Sequence, residues 1–152
     1  MSNTPELHVV FGAGPVGRAT VKALLRRGRR VRVVNRSGRL AEAPAEAEIV
    51  AGDAYDGAQV RALTQGAAAV YQCAQPEYTE WPEKFPPLQA AILEGTAANG
   101  AKLIICDNLY MYGDTDGQPL REDLPYAATD KKGRTRAAMA EAALAAHRAG
   151  RV

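Results

Sequence analysis

The chain has 152 residues, 47% of them hydrophobic and 24% charged, the balance of one globular domain; wholesale disorder, a collagen-like repeat and a coiled coil are excluded. A formal net charge of +2 does not by itself imply a nucleic-acid partner, and no apolar run nears the ~20 residues of a membrane span. Met1 to Glu6 is polar and lacks the basic and apolar regions of a secretory signal, while the two cysteines, Cys73 and Cys106, form no disulfide framework or zinc site and read as free thiols of a reducing cytoplasm.

Strands and helices alternate along the chain. Leu7 to Phe11 is a short apolar run ending in glycine, the first predicted strand. Pro15 to Arg27 has helical spacing, with Val16, Ala19, Val21, Ala23, Leu24 and Leu25 offering an apolar stripe and Gly28 as its stop. Val31 to Val34 and Glu48 to Ala51 are the next two strands. Gly57 to Thr64 is a short helix, and Ala68 to Cys73 the fourth strand. Gln75 to Pro87 contains four prolines and the only tryptophan, Trp81, and predicts a long loop leading into a helix over 88–99. Lys102 to Cys106 is the fifth strand, residues 113–133 a loop, and Arg134 to His147 an alanine-rich helix. Short apolar runs between helices predict an α/β fold with a parallel sheet covered on both faces, in one domain over 1–152.

The segment Gly12-Ala13-Gly14-Pro15-Val16-Gly17 is G-x-G-x-x-G, placed after a predicted strand and at the start of a predicted helix. In that context the pattern predicts dinucleotide binding on a Rossmann-type doubly wound sheet. Gly12 allows the tight turn, Gly14 the approach of a pyrophosphate, and Gly17 close helix–strand packing. Pro15 suits the first helical turn, where its missing N–H costs little. The free N–H groups and the helix dipole of that turn then face the phosphates.

The end of the second strand carries Asn35-Arg36-Ser37, with Arg39 nearby, where an NAD site places an acid. Between Glu6 and Glu42 there are nine Lys or Arg and no acid. Arginine pairs with a 2′-phosphate that a carboxylate would repel, so NADP(H) is expected over NAD(H), with NAD the alternative. The remaining arginines, at 26, 27, 29 and 30, read as solvated surface; no reading helix or aromatic platform accompanies them, so no nucleic-acid partner is expected.

The loop GAGPVG, the strand end VVNRS, the GDAYD after strand three, YQCA at strand four and IICDNLYMYG at strand five together resemble an extended short-chain dehydrogenase/reductase. That family includes nucleotide-sugar epimerases, and the resemblance runs over nearly the whole chain. It implies that Asp53 accepts from the adenine amino group with Ala54 following along the base, although Asp53 reads equally well as a turn cap. It also implies that Cys73, Ala74 and Gln75 line the cofactor.

The chain departs from the family's catalytic pattern. The family uses a Ser or Thr after strand five, where Asn108 stands here, and a Tyr-x-x-x-Lys on the next helix. Lys132 and Arg136 take the tyrosine and lysine positions, and no Tyr-x-x-x-Lys occurs anywhere in the sequence. Asn108, Lys132 and Arg136 are therefore the catalytic candidates of an altered tetrad. Lys132 and its neighbours read also as a solvated basic helix start.

The resemblance further implies a sixth strand and a substrate domain beyond Val152, so that the chain corresponds to the N-terminal part of such a protein. The alanine-rich helix and the edge of strand five are expected to support self-association as a homodimer. The expected function is hydride transfer between NADP(H) and a carbonyl or sugar carbon of a small-molecule substrate. The alternative is a non-catalytic NADP(H)-sensing regulator.

Overall fold

Five short apolar runs become strands and pair into a single parallel sheet. The computed structural model describes residues 5–152, so most of the polar N-terminal stretch, up to Thr4, lies outside the described residues. The strands are β1 (Leu7–Phe11), β2 (Arg30–Asn35), β3 (Ala47–Ala51), β4 (Ala67–Gln72) and β5 (Lys102–Ile105), and their order across the sheet is β3-β2-β1-β4-β5. Every pairing is parallel. The helices are α1 (Pro15–Leu25), α2 (Gly57–Leu63), α3 (Trp81–Ala97) and α4 (Lys131–Arg148). Among the described residues no helix is long and apolar enough to cross a membrane.

Alternation along the strands sends side chains to two separate layers. Val9, Phe11, Val34 and Val70 meet Trp81, Phe85, Leu88 and Ile92 of α3 and Met139 of α4. Val10, Val31 and Val33 meet Val21 and Leu24 of α1 on the opposite face. The central strand β1 is buried along all five residues, which accounts for its unbroken apolar sequence. β1 is also where the order reverses, since β2 lies to one side of it and β4 to the other. Crevices at such switch points, beyond the carboxyl ends of the strands, are where open α/β sheets bind ligands.

The segment 75–87 departs from the expected loop. A single 3-10 turn at Tyr78–Glu80 runs directly into α3, which begins at Trp81 and holds Pro82, Pro86 and Pro87. Pro82 falls in the first turn, where no N–H is required. Pro86 and Pro87 remove the donors to the carbonyls of residues 82 and 83, which sit on the half-buried and exposed side of the helix, within reach of water. The opposite side buries Trp81, Phe85, Leu88, Ile92 and Leu93, and that packing overrides the local cost. The helix α4 likewise begins three residues before its expected start, because Asp130 accepts from the Gly133 N–H at 2.9 Å and caps it.

The edge strand β5 is half-buried beyond Lys102. Cys73 and Cys106 follow the neighbouring strands β4 and β5 and are both free thiols.

Candidate functional site

A cavity of about 620 Å³ opens at the carboxyl ends of β1, β2 and β4. The glycine loop forms one wall. Gly12 has φ +102°, a conformation that side chains other than glycine rarely adopt, and its N–H donates to the Val34 carbonyl at 3.0 Å. A Cβ on Gly12 would sit 2.6 Å from the Ala74 nitrogen, and one on Gly17 would sit 2.0 Å from the Gly12 carbonyl oxygen. These two glycines are demanded by the fold. Gly14 is not, because a Cβ there would have nothing within 4 Å.

Gly14 is the N-cap of α1 and offers no side-chain cap; no acid occupies the first turn, and Pro15 begins it. The N–H groups of Val16 and Gly17 therefore lack a capping side chain, at the positive end of an 11-residue helix. Open space above a bare helix N-terminus is the arrangement that a pyrophosphate fits. The residues present thus fit a dinucleotide on two independent counts, the unused space over Gly14 and the orphan donors beside it.

Most of the residues expected at a cofactor border this cavity. Gly12, Gly14, Pro15 and Val16 line it from the loop, Asn35 and Arg36 from the end of β2, and Asp53 and Ala54 from the turn after β3. Cys73, Ala74 and Gln75 line it from the end of β4. Gly17 lies behind the loop, and Ser37 lies outside the cavity; its hydroxyl donates to Asn35 Oδ1 and to the Arg39 carbonyl, each at 3.2 Å.

Several of these side chains are engaged in shaping the walls. Asn35 Nδ2 donates to the Arg39 carbonyl at 2.9 Å, and its Oδ1 accepts from the Gly38 N–H at 2.7 Å. Asn35 thereby holds the turn that presents Arg36. The exposed Arg36 makes no hydrogen bond or ion pair among the described residues. Asp53 uses Oδ1 to accept from the Tyr55 N–H at 2.9 Å, so it serves as the turn cap and still turns toward the cavity. Burial pushes the Cys73 thiol up, which keeps it protonated and makes it a wall residue rather than a nucleophile.

The tertiary fold brings in residues that the sequence pattern does not mark. Tyr55 enters from the turn after Asp53, Glu80 from the end of the 3-10 turn and Lys84 from the first turn of α3. Lys84 Nζ pairs with Glu80 Oε1 at 2.6 Å across one helical turn. Glu80 is the cause that holds the Lys84 ammonium above its ordinary value, and burial is the main cause that raises the Tyr55 phenol. The i,i+4 spacing of Glu80 and Lys84 was the one available signal, and the prolines around it masked the helix.

The catalytic candidates lie apart from the cavity lining. Asn108 is half-buried, and its Oδ1 accepts from the Tyr110 N–H at 3.1 Å. Lys132 places its ammonium 4.1 Å from the centroid of the Tyr78 ring, and that ring packs edge-on against Trp81 with centroids 5.1 Å apart. Arg136 is 1% exposed. Its Nε and terminal nitrogen both donate to Asp107 Oδ1, and its guanidinium carbon lies 4.3 Å from the Phe85 centroid and 5.6 Å from that of Trp81. That guanidinium is committed to joining α4, α3 and the end of β5; its place at the family's lysine position marks it as a candidate, and its long stem with an ion-pair partner lets it be buried. Among the described residues no group of three or more His, Cys, Asp or Glu converges to hold a metal.

A family model described as NAD(P)H-binding matches residues 12–148. No curated protein matches the chain. Among solved structures, the chain is similar to a UDP-galactose 4-epimerase, with 26% identity and TM-score 0.77 over 93% of this chain and 52% of that one. It is also similar to a variant of uronate dehydrogenase from Agrobacterium tumefaciens complexed with NAD, at 17% identity and TM-score 0.79 over 95% of this chain and 57% of that one. A UDP-N-acetylglucosamine 4-epimerase from Bacillus cereus aligns at 15% identity and TM-score 0.77, covering 94% of this chain and 49% of that one. The chain spans about half the length of the structures it matches.

Proposed function

Because the chain belongs to the NAD(P)H-binding family, we propose that it is the cofactor half of an atypical extended short-chain dehydrogenase/reductase that prefers NADP(H) and serves hydride transfer to or from a carbonyl or sugar carbon. The observation that carries the preference is Arg36, which lines the cavity at the end of β2 with its guanidinium unengaged, at a strand end where the local sequence offers no acid.

The nicotinamide ring, when bound, supplies or accepts the hydride. The chain's residues bind and orient. The N–H groups of Val16 and Gly17 hold the pyrophosphate, and Asp53 accepts from the adenine amino group with Ala54 against the base. Cys73, Ala74 and Gln75 wall the far half of the cofactor. Asn108 donates a hydrogen bond to a substrate oxygen without relaying a proton, and the Lys132 ammonium supplies the proton-bearing group. The partners in this reading are the dinucleotide, a small-molecule substrate and a second copy of the chain.

Calorimetry with NADP+ and NAD+ at matched salt tests the reading. The parent chain is expected to bind NADP+ about tenfold more tightly, one charge-assisted pair's worth, and Arg36→Asp to reverse the order. Equal affinities unchanged by Arg36→Asp would refute it.

A second reading, a non-catalytic NADP(H)-sensing regulator, is favoured by the buried Arg136. The residue at the family's lysine position is locked onto Asp107 beneath two aromatic rings. Turnover of aldehydes or ketones by the full-length protein separates the two.

A further inference from the structure

Three elements bring polar side chains to this cavity, and two of these side chains are cationic. Arg36 comes from the end of β2, Tyr55 from the turn after β3, and Lys84 from the first turn of α3. Burial, Glu80 and Asp53 raise the Tyr55 phenol, and the charges of Lys84 and Arg36 act against them. Tyr55 is 42% exposed and Lys84 has an exposed side chain, which leaves both free to meet a ligand.

Lys84 is more than a solvated helical pair. Glu80 takes one of its three N–H donors and tethers the ammonium beside the cavity, and two donors remain. A phosphate dianion offers more charge and more acceptors than the single carboxylate, so it draws the tethered ammonium toward itself. A ribose hydroxyl offers no such gain.

We propose that Lys84 is a second specificity-determining residue, which together with Arg36 holds the 2′-phosphate of NADP(H) in the cavity that both line. The proposal rests on the reading that the 2′-phosphate lies at Arg36. Glu80 sets the strength of the clamp, because it competes with the phosphate for Lys84. Asp53 is occupied by the Tyr55 N–H and is a weaker competitor.

The test measures the affinities of NADP+, NAD+ and 2′,5′-ADP for the parent chain and for Arg36→Gln, Lys84→Gln and Glu80→Gln. Lys84→Gln is expected to weaken NADP+ and 2′,5′-ADP by about tenfold, with NAD+ changed less than twofold, as for loss of one charge-assisted hydrogen bond. Glu80→Gln is expected to tighten NADP+ two- to threefold by freeing the ammonium. This second variant keeps the test valid should Lys84→Gln disturb α3. Loss at Arg36→Gln with no change at Lys84→Gln and none at Glu80→Gln would overturn the clamp and leave the Arg36 reading standing. No preference for NADP+ in the parent, with Arg36→Gln silent, would overturn both. Equal weakening of NADP+ and NAD+ by Lys84→Gln would overturn the clamp as well, since Lys84 would then act on a part common to both.

Discussion

Two glycines three residues apart in the same loop are expected to fail in opposite ways when each is changed to alanine. At Gly17 the added Cβ would lie 2.0 Å from the Gly12 carbonyl oxygen and 2.9 Å from its carbon. Neither neighbour is a side chain that could rotate away. Gly12 is itself pinned by its bond to Val34 and by Ala74 behind it. The loop must move, at a cost of about 3 kcal/mol, the upper end of ordinary overpacking. The gain in helix propensity from glycine to alanine, about 1 kcal/mol, does not offset it. For a chain of this length, a net loss near 2 kcal/mol lowers the melting temperature by roughly 4–8 °C. At Gly14 the backbone has φ −73° and ψ −174°, which alanine adopts freely, and the Cβ meets nothing within 4 Å. Reduced freedom of the unfolded chain contributes about 0.4–1 kcal/mol, and the poorer N-cap removes a similar amount. Stability should therefore stay within about 0.5 kcal/mol of the parent. The methyl group, however, enters the open space over Gly14 that the proposed pyrophosphate would fill, and affinity for the dinucleotide should fall at least about tenfold. Urea denaturation and calorimetry on the same preparations measure both quantities. A Gly14→Ala chain that binds as the parent does, or that loses as much stability as Gly17→Ala, would refute the division of roles.

The Arg136–Asp107 pair should respond unequally to its two halves. Asp107→Asn strands a cation that is 1% exposed and should cost about 3 kcal/mol, whereas Arg136→Met strands only a carboxylate that is 31% exposed and can rehydrate, and should cost less; urea midpoints rank them, and the reverse order would contradict the geometry. Stability should be flat between about pH 7 and 8 and fall in two stages on acidification. His8, whose ring is held below its ordinary value by burial and then by Arg29, binds more protons unfolded than folded as pH falls through about 6.5, so stability declines there first. Asp130 is held below the usual carboxylate range by the Gly133 N–H, so its cap is intact above about pH 4 and is lost below it. Melting curves from pH 8 to 3 should show the second stage reduced in Asp130→Asn, which caps without titrating.

The legible parts of this molecule are those in which local chemistry and global position agree. The glycine loop is legible because each of its residues answers a nearby steric demand, and the central strands because two covered faces require unbroken apolar runs. The start of α3 was illegible because Pro82, Pro86 and Pro87 argue locally for a loop, while Trp81, Phe85 and Leu88 argue for a helix only once the sheet beneath them exists. The burial of Arg136 was illegible for a related reason. Its type speaks for solvent or a ligand, and only the placement of Asp107 at the end of β5 makes burial tolerable. Glu80 and Lys84 belong to no motif, and Tyr55 sits within GDAYD without being singled out by it; all three reach the cavity through folding.

The position of Trp81 gives the chain an optical voice of its own. It is the sole tryptophan, 7% exposed, with its indole N–H donating at 3.3 Å to the carbonyl of Pro76, a residue of the cavity wall. One ultraviolet-excited emitter therefore touches both the buried arginine beneath α3 and the rim of the dinucleotide cavity. Reduced nicotinamide absorbs where indole emits, so a bound reduced cofactor drains that emission and glows in its place, while an oxidised one does not. The unmodified chain can thus report, without any label, whether it is folded and in which redox state its cofactor arrives.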